Sequence, residues 1–310
     1  MRILFMGTPE FAVPCFERLL SDGHEIVLTV TQADKPKGRG YVMTPSPVKA
    51  AALSHGIPVY QPKTFKNNDE ALKMLSDCRP DVAVVVAYGK ILPQSVLDIP
   101  KHGCVNVHAS LLPKYRGSAP YQWAVLNGEK ETGVTTMLLD AGIDTGDMLM
   151  KRHVTIPEDM TAGELIDRLM AEGAEALSDT LKAMEAGELT PVKQDESLSS
   201  YAPMLSKKLS PIDWGHTAEE IHNQIRGLNP WPSAATAFGG KLLKIHRSKT
   251  AGKSEACPGT IVKLRPFTVS CGGNTSLEIQ EVQLEGSKRM AAAEFLRGHG
   301  LKVGQILSDL

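Results

Sequence analysis

The stretch Asp81–Gly89, DVAVVVAYG, constrains the fold most tightly. It holds five consecutive apolar residues, Val82 to Val86, four of them β-branched. A strand with one wet face alternates apolar and polar side chains, because successive Cβ atoms point to opposite sides. An unbroken apolar run has to bury both faces, and a parallel sheet covered by helices does that. Similar strands are expected at RILFMG (2–7), EIVLTVTQ (25–32), GCVNVH (103–108), TGVTTMLL (132–139) and MLMKRHVTI (148–156). Helical patterns separate the first of them. PEFAVPCFERLLSDG (9–23) places Phe11, Phe16, Leu19 and Leu20 on an apolar face, and SPVKAAALSHG (46–56) opens on Ser46 as N-cap and Pro47 at the first helical position. Thr161 and Glu164 form a capping box before a long helix. Alternation of this kind predicts an α/β fold with a Rossmann-like, doubly wound parallel sheet.

The pattern changes near residue 190. Residues 190–209 are polar and irregular and read as a linker. Beyond them, TAEEIHNQIRGL carries a second capping box, Thr217 with Glu220, and short strands separated by GG and GGN turns predict a smaller OB-like β-barrel closed by the helix AAAEFLRG. The division expected is therefore 1–189, a linker over 190–209, and 210–310. A cut near residue 206 is expected to leave a soluble first domain.

Charge and composition narrow the function classes. The net charge of −1 hides an asymmetry: residues 207–310 hold 14 Lys+Arg against 9 Asp+Glu, and the remainder 20 against 26. A basic small domain beside an acidic larger one suits a polyanionic partner. The five cysteines form no C-x-x-C pair and no metal-spaced cluster, so no metal is expected and the thiols read as reduced ones of a cytoplasmic protein. No long apolar run suggests a membrane span. Gly7 is followed by Thr8, Pro9 and Glu10, not by G-x-G-x-x-G, and no P-loop is present, which removes the main support for NAD or ATP.

Chemistry concentrates in Asn106–Pro120, NVHASLLPKYRGSAP. Asn106 and His108 lie two apart at the carboxyl end of a predicted strand, where open α/β sheets bind ligands, and so point to one side of it. An amide donor beside an imidazole suits a carbonyl oxygen that becomes an oxyanion. The bland alternative is a satisfied core histidine with a turn-forming asparagine. Asp144, in the turn DAGIDTGDML, is a candidate to orient His108 and relay a proton. Its own bland alternative is plain turn chemistry.

FMGTPEFAVP, NVHASLLPKYRGSAP and AGIDTGDM together resemble the methionyl-tRNA formyltransferase family. IDW at 212–214, NPWPSAAT at 229–236 and the basic β-rich end extend the resemblance over nearly the whole chain. It implies N10-formyltetrahydrofolate (10-formyltetrahydrofolate) as formyl donor, with no metal, and the α-amino group of methionine on initiator methionyl-tRNA as acceptor. It implies Asn106, His108 and Asp144 as catalytic residues. Ser110, Leu111, Leu112 and Pro113 would line the folate, with the pterin near Val86, Tyr88, Gly89 and Leu92, mostly against backbone, and with Asp140. A loop at the place of 32–45 enters the tRNA acceptor stem in that family, so Lys35, Lys37 and Arg39 are expected there, with Lys207, Lys208, Lys241, Lys244 and Arg247 extending a basic track. Trp231, between two prolines, is expected to pack. The chain is expected to be monomeric. The motif is shared with formyltransferases of small amines, which need no basic β domain, and an RNA-binding protein on an inactive scaffold is the rival from another class.

Overall fold

The structure, a computed structural model, describes residues 1–37 and 42–307, so Arg39 lies outside the described residues. Two compact units are present: residues 1–117, 132–154 and 166–202 form the first, and residues 118–131, 155–165 and 203–310 the second. The chain thus passes between the units several times. The division expected from the sequence assigns 118–131 and 155–165 to the first domain, whereas their packing lies in the second.

The first unit is built on a seven-stranded sheet in the order Met148–Thr155, Glu131–Leu138, Cys104–His108, Val82–Val86, Arg2–Gly7, Glu25–Val30, Val59–Tyr60. The central Val82–Val86 strand is fully buried, as its sequence requires, and runs parallel to Arg2–Gly7 and Cys104–His108. Helices cover both faces. Phe5 meets Phe16 of the helix Val13–Ser21 edge-on at 5.1 Å. The alternate residues Leu4 and Met6 pack with Ala71 and Leu75 of the helix Asp69–Asp77. One departure matters for the site: Glu131–Leu138 runs antiparallel to Cys104–His108. A strand buried on both faces reads the same in either direction, so the sequence could not distinguish the two.

Capping follows the sequence closely. Ser46 accepts the Lys49 N–H, and the Thr161/Glu164 box is complete in both directions. The 190–202 segment departs from an irregular linker. It is bonded along its length to the first unit, with Val192 bridging Met148 and Tyr201–Ala202 pairing with Arg116–Gly117.

The second unit carries the antiparallel sheet Ala234–Phe238, Lys241–Lys253, Thr275–Leu284, Phe267–Cys271, Ile261–Leu264, a small barrel-like domain. Three register shifts along Lys241–Lys253 bend this long strand, as bulges do. The helix Ala292–His299 seats Phe295 in the core. The helix Pro120–Leu126 belongs here too: it packs against Ala218–Gly227, with Ala119, Trp123 and Leu126 joining the core of this unit. Trp231, expected to pack, is 54 % exposed.

Candidate active site

Asn106 and His108 end a strand of the sheet and are almost fully buried. The Asn106 amide makes no hydrogen bond to another described residue. Its polar atoms are not sealed from solvent, so a ligand can reach them. The His108 Nε2–H donates to the Tyr115 carbonyl at 2.9 Å, which fixes the ring and leaves Nδ1 for chemistry. Nδ1 lies 3.6 Å from Asp144 Oδ2. That is beyond a hydrogen bond, so Tyr115 orients the imidazole and Asp144 acts on it through charge. Asp144 Oδ2 is itself held by the Gly117 N–H at 2.8 Å.

Three non-glycine residues with positive φ sit on the loops that follow three neighbouring strands: Ala87 (47°), Tyr115 (60°) and Asp144 (54°). Such residues are uncommon, and where they gather the surrounding packing over-determines the backbone. Here each loop is pinned. Tyr88 O accepts from Thr8 Oγ1 and from Gln32 Nε2. Tyr115 N donates to Ser200 Oγ. Asp144 O and Gly146 O both accept from Gln194 Nε2 at 2.8 Å.

The candidate folate residues divide in two groups. Ser110 and Leu112 are locked through Thr135, whose hydroxyl donates to Ser110 O (2.7 Å) and accepts from Leu112 N (3.1 Å). Leu112 is buried with Met137 and Met148, so this side chain anchors the loop. Leu111 lies over Gly133, where a Cβ would come within 2.6 Å of it and 2.0 Å of Arg152 O. Pro113 is partly exposed, and its carbonyl accepts from Ser200 N. Val86, Tyr88 and Leu92 are core residues, and burial pushes the Tyr88 phenol up to about 12. What this stretch can turn to a ligand is backbone at the exposed Ala87 and Gly89. Asp140 closes the turn before Asp144, accepting from Gly142 N and Thr145 Oγ1.

Of the basic candidates, Lys35 is exposed on the short hairpin Lys35–Lys37 with Val42–Thr44, on whose strand Lys37 also lies. Lys207, Lys208 and Lys241 are exposed, Lys244 is half-buried, and Arg247 is paired with Glu164 inside the second unit. Sequence reasoning gave no role to Tyr115, Arg116, Thr135, Gln194 or Ser200. The Arg116 guanidinium beside Glu196 holds that carboxyl below the usual range, and its own pKa is raised by the same hydrogen bond. Among the described residues no His/Cys/Asp/Glu cluster could hold a metal, and no helix is long and apolar enough to cross a membrane.

An unpartnered amide, an oriented imidazole and a carboxylate are groups that nucleophilic transfer at a carbonyl carbon calls for. Residues 1–181 match the formyl transferase family, and residues 204–300 match the formyl transferase C-terminal domain. The chain is 51% identical to the methionyl-tRNA formyltransferase of Caldanaerobacter subterraneus subsp. tengcongensis, over 99% of this chain and 100% of that one. It is 50% identical to that of Geotalea uraniireducens, over 99% and 98%. Among solved structures, a sugar 3N-formyl transferase, WlaRD, studied with dTDP and 5-N-formyl-THF, aligns with a TM-score of 0.68 at 22% identity over 93% of this chain and 99% of that one. HypX from Aquifex aeolicus in complex with tetrahydrofolic acid aligns at 0.61 and 16% over 96% of this chain and 47% of that one. The chain belongs to the methionyl-tRNA formyltransferase family.

Proposed function

We infer that the chain transfers the formyl group of N10-formyltetrahydrofolate to the α-amino group of methionine on initiator tRNA. The observation that carries this reading is the unpartnered Asn106 amide beside His108 and Asp144, in a chain alike in sequence to such enzymes from end to end. The amine nitrogen attacks the formyl carbon and a tetrahedral oxyanion forms. The Asn106 N–H and the protonated Nδ1 of His108 donate to that oxygen. A donor of this kind typically contributes roughly 10²–10³ in rate. Collapse breaks the bond from the formyl carbon to N10. The amine loses one proton and N10 gains one, and Asp144, 3.6 Å from His108 Nδ1, is the carboxylate placed to pass it on.

The Ser110–Pro113 loop and the backbone of 86–89 are the walls assigned to the folate. Lys35, Lys37 and Arg39 are assigned to the acceptor end of the tRNA. Lys207, Lys208, Lys241 and Lys244 are assigned to phosphates along the basic second unit, with Arg247 a lesser contributor because Glu164 already takes its charge. The chemistry is assigned to the first unit, which includes residues 190–202, and tRNA anchoring to the second, in a monomer acting in the cytoplasm. The deciding experiment is formyl transfer from 10-formyltetrahydrofolate to initiator methionyl-tRNA, with elongator methionyl-tRNA as control. Equal rates on both would remove the initiator assignment, and transfer only to small amines would remove the tRNA assignment.

A further inference from the structure

Residues 192–202 form a strap across the two loops that hold His108 and Asp144, and all of the strap lies in the first unit. Its centre is Gln194. The Gln194 carbonyl oxygen accepts from Arg116 Nε (3.0 Å) and Nη2 (2.9 Å). This settles the direction of the amide, because the reverse orientation would set its NH₂ against the guanidinium. The NH₂ end therefore faces the Asp144 and Gly146 carbonyls and bonds both at 2.8 Å, which fixes the backbone from Asp144 to Gly146. The other edge of Arg116 is taken by Glu196 through two bonds of 2.7 and 2.9 Å. Paired bonds of this kind fix direction as well as distance.

The neighbours of Arg116 are the two backbone groups that hold the catalytic side chains. The Tyr115 carbonyl accepts from His108, and the Gly117 N–H donates to Asp144. The strap reaches both: Ser200 O accepts from Arg116 N, and Tyr201–Ala202 runs beside Arg116–Gly117. Gly117 has to be glycine there, at φ 108°, since a Cβ would come within 2.8 Å of Ala202 O.

We propose that Gln194 and Arg116 are positioning residues for formyl transfer, setting the separation of Asp144 and His108 from outside the site. The inference rests on the functional reading above. Neither side chain is assigned a contact with substrate. Both act through Asp144 and through the Tyr115–Gly117 backbone. A displacement of the order of 1 Å at a reacting group lowers rates by about 100-fold, so loss of the Gln194 amide is expected to lower kcat roughly 10–100-fold.

The test uses the full-length enzyme with Gln194→Ala, Gln194→Glu and Arg116→Lys, and with Lys193→Ala as the control on the same strap. Gln194→Ala should lower kcat by that factor and leave the KM for 10-formyltetrahydrofolate within about 2-fold. Gln194→Glu keeps the acceptor for Arg116 and loses the donors to 144 and 146, so it should behave like the alanine variant. Arg116→Lys cannot span Gln194 and Glu196 together and should fall between. In an Asp144→Asn background the Gln194→Ala effect should shrink to under about 3-fold, since both changes act on one group. A full multiplicative loss in that background, or a loss confined to KM, would overturn the proposal. Amide exchange at Gly117 needs no substrate. It should quicken at least about 10-fold in Gln194→Ala if the Gly117–Asp144 bond opens more often. Unchanged exchange overturns the positioning role, whereas a wild-type enzyme without formyl transfer overturns the functional reading.

Discussion

Asp144→Asn separates charge from structure at the site. The residue sits at φ 54°, a conformation Asn tolerates as readily as Asp. Its Oδ2 accepts the Gly117 N–H, and the asparagine carbonyl can accept the same bond. The substitution therefore leaves the loop and its anchors in place and removes one negative charge 3.6 Å from His108 Nδ1. Side-chain exposures of 6% and 16% leave little solvent to screen the pair. With an effective dielectric near 20, two unit charges at that distance attract by about 4–5 kcal/mol. If that attraction supports protonated His108 as the oxyanion forms, kcat should fall roughly 10³-fold. The assay is single-turnover formyl transfer to initiator methionyl-tRNA, paired with a melting curve and a folate titration. Melting and folate affinity should stay close to wild type. Turnover within about 10-fold of wild type would refute the charge argument, and a large drop in melting temperature would show that Asp144 serves the fold instead.

Asn106→Ala and His108→Ala should each lower kcat by roughly 10²–10³ while folate affinity, read by titration, changes little, because their donors act mainly on the oxyanion. Thr135→Val strands the buried Ser110 carbonyl and Leu112 N–H and should destabilise the first unit by about 2–4 kcal/mol in urea unfolding, with weaker folate binding as the Ser110–Pro113 loop loosens. A fragment ending at Ala202 should aggregate on size-exclusion chromatography, contrary to the soluble domain expected from the sequence, because Trp123 and Leu126 lose the core of the second unit; a monodisperse fragment with native melting would reverse that. The pKa of His246 is lowered by burial, with Arg289 and other neighbours adding to it, so the folded chain refuses a proton that the unfolded chain accepts below pH about 6.5. Stability should therefore decline as pH falls below that value, and His246→Gln should decline less between pH 7.5 and 5.5.

The elements that bury a continuous run or carry a cap were readable from the sequence, because both signals are local. Val82–Val86 has to be covered twice, and Ser46, Thr161 and Thr217 each bond a donor three residues on. Asn106 and His108 could be singled out as candidates, because they are polar side chains at the end of an apolar strand, although the bond from His108 to the Tyr115 carbonyl is also what a satisfied core histidine would make. Other parts of the site left no side-chain pattern. Tyr115 acts through a carbonyl, which every residue has. Gln194 lies 50 positions from Asp144 in a polar stretch without periodicity. The helix Pro120–Leu126 is short and directly follows the loop after His108, and nothing in its own residues says that its partner lies in the last third of the chain.

That last arrangement sets a timetable for synthesis. Pro120–Leu126 leaves the ribosome 92 positions ahead of Ala218, where its partner helix begins. At roughly 5–20 residues per second, its apolar side waits about 5–20 s for cover. During that interval the strands Glu131–Leu138 and Met148–Thr155 of the first unit's sheet are still being added, beside an uncovered helix. Slowing elongation between codons 126 and 218 should therefore lower the yield of folded enzyme, and a chaperone that masks short apolar helices should restore it.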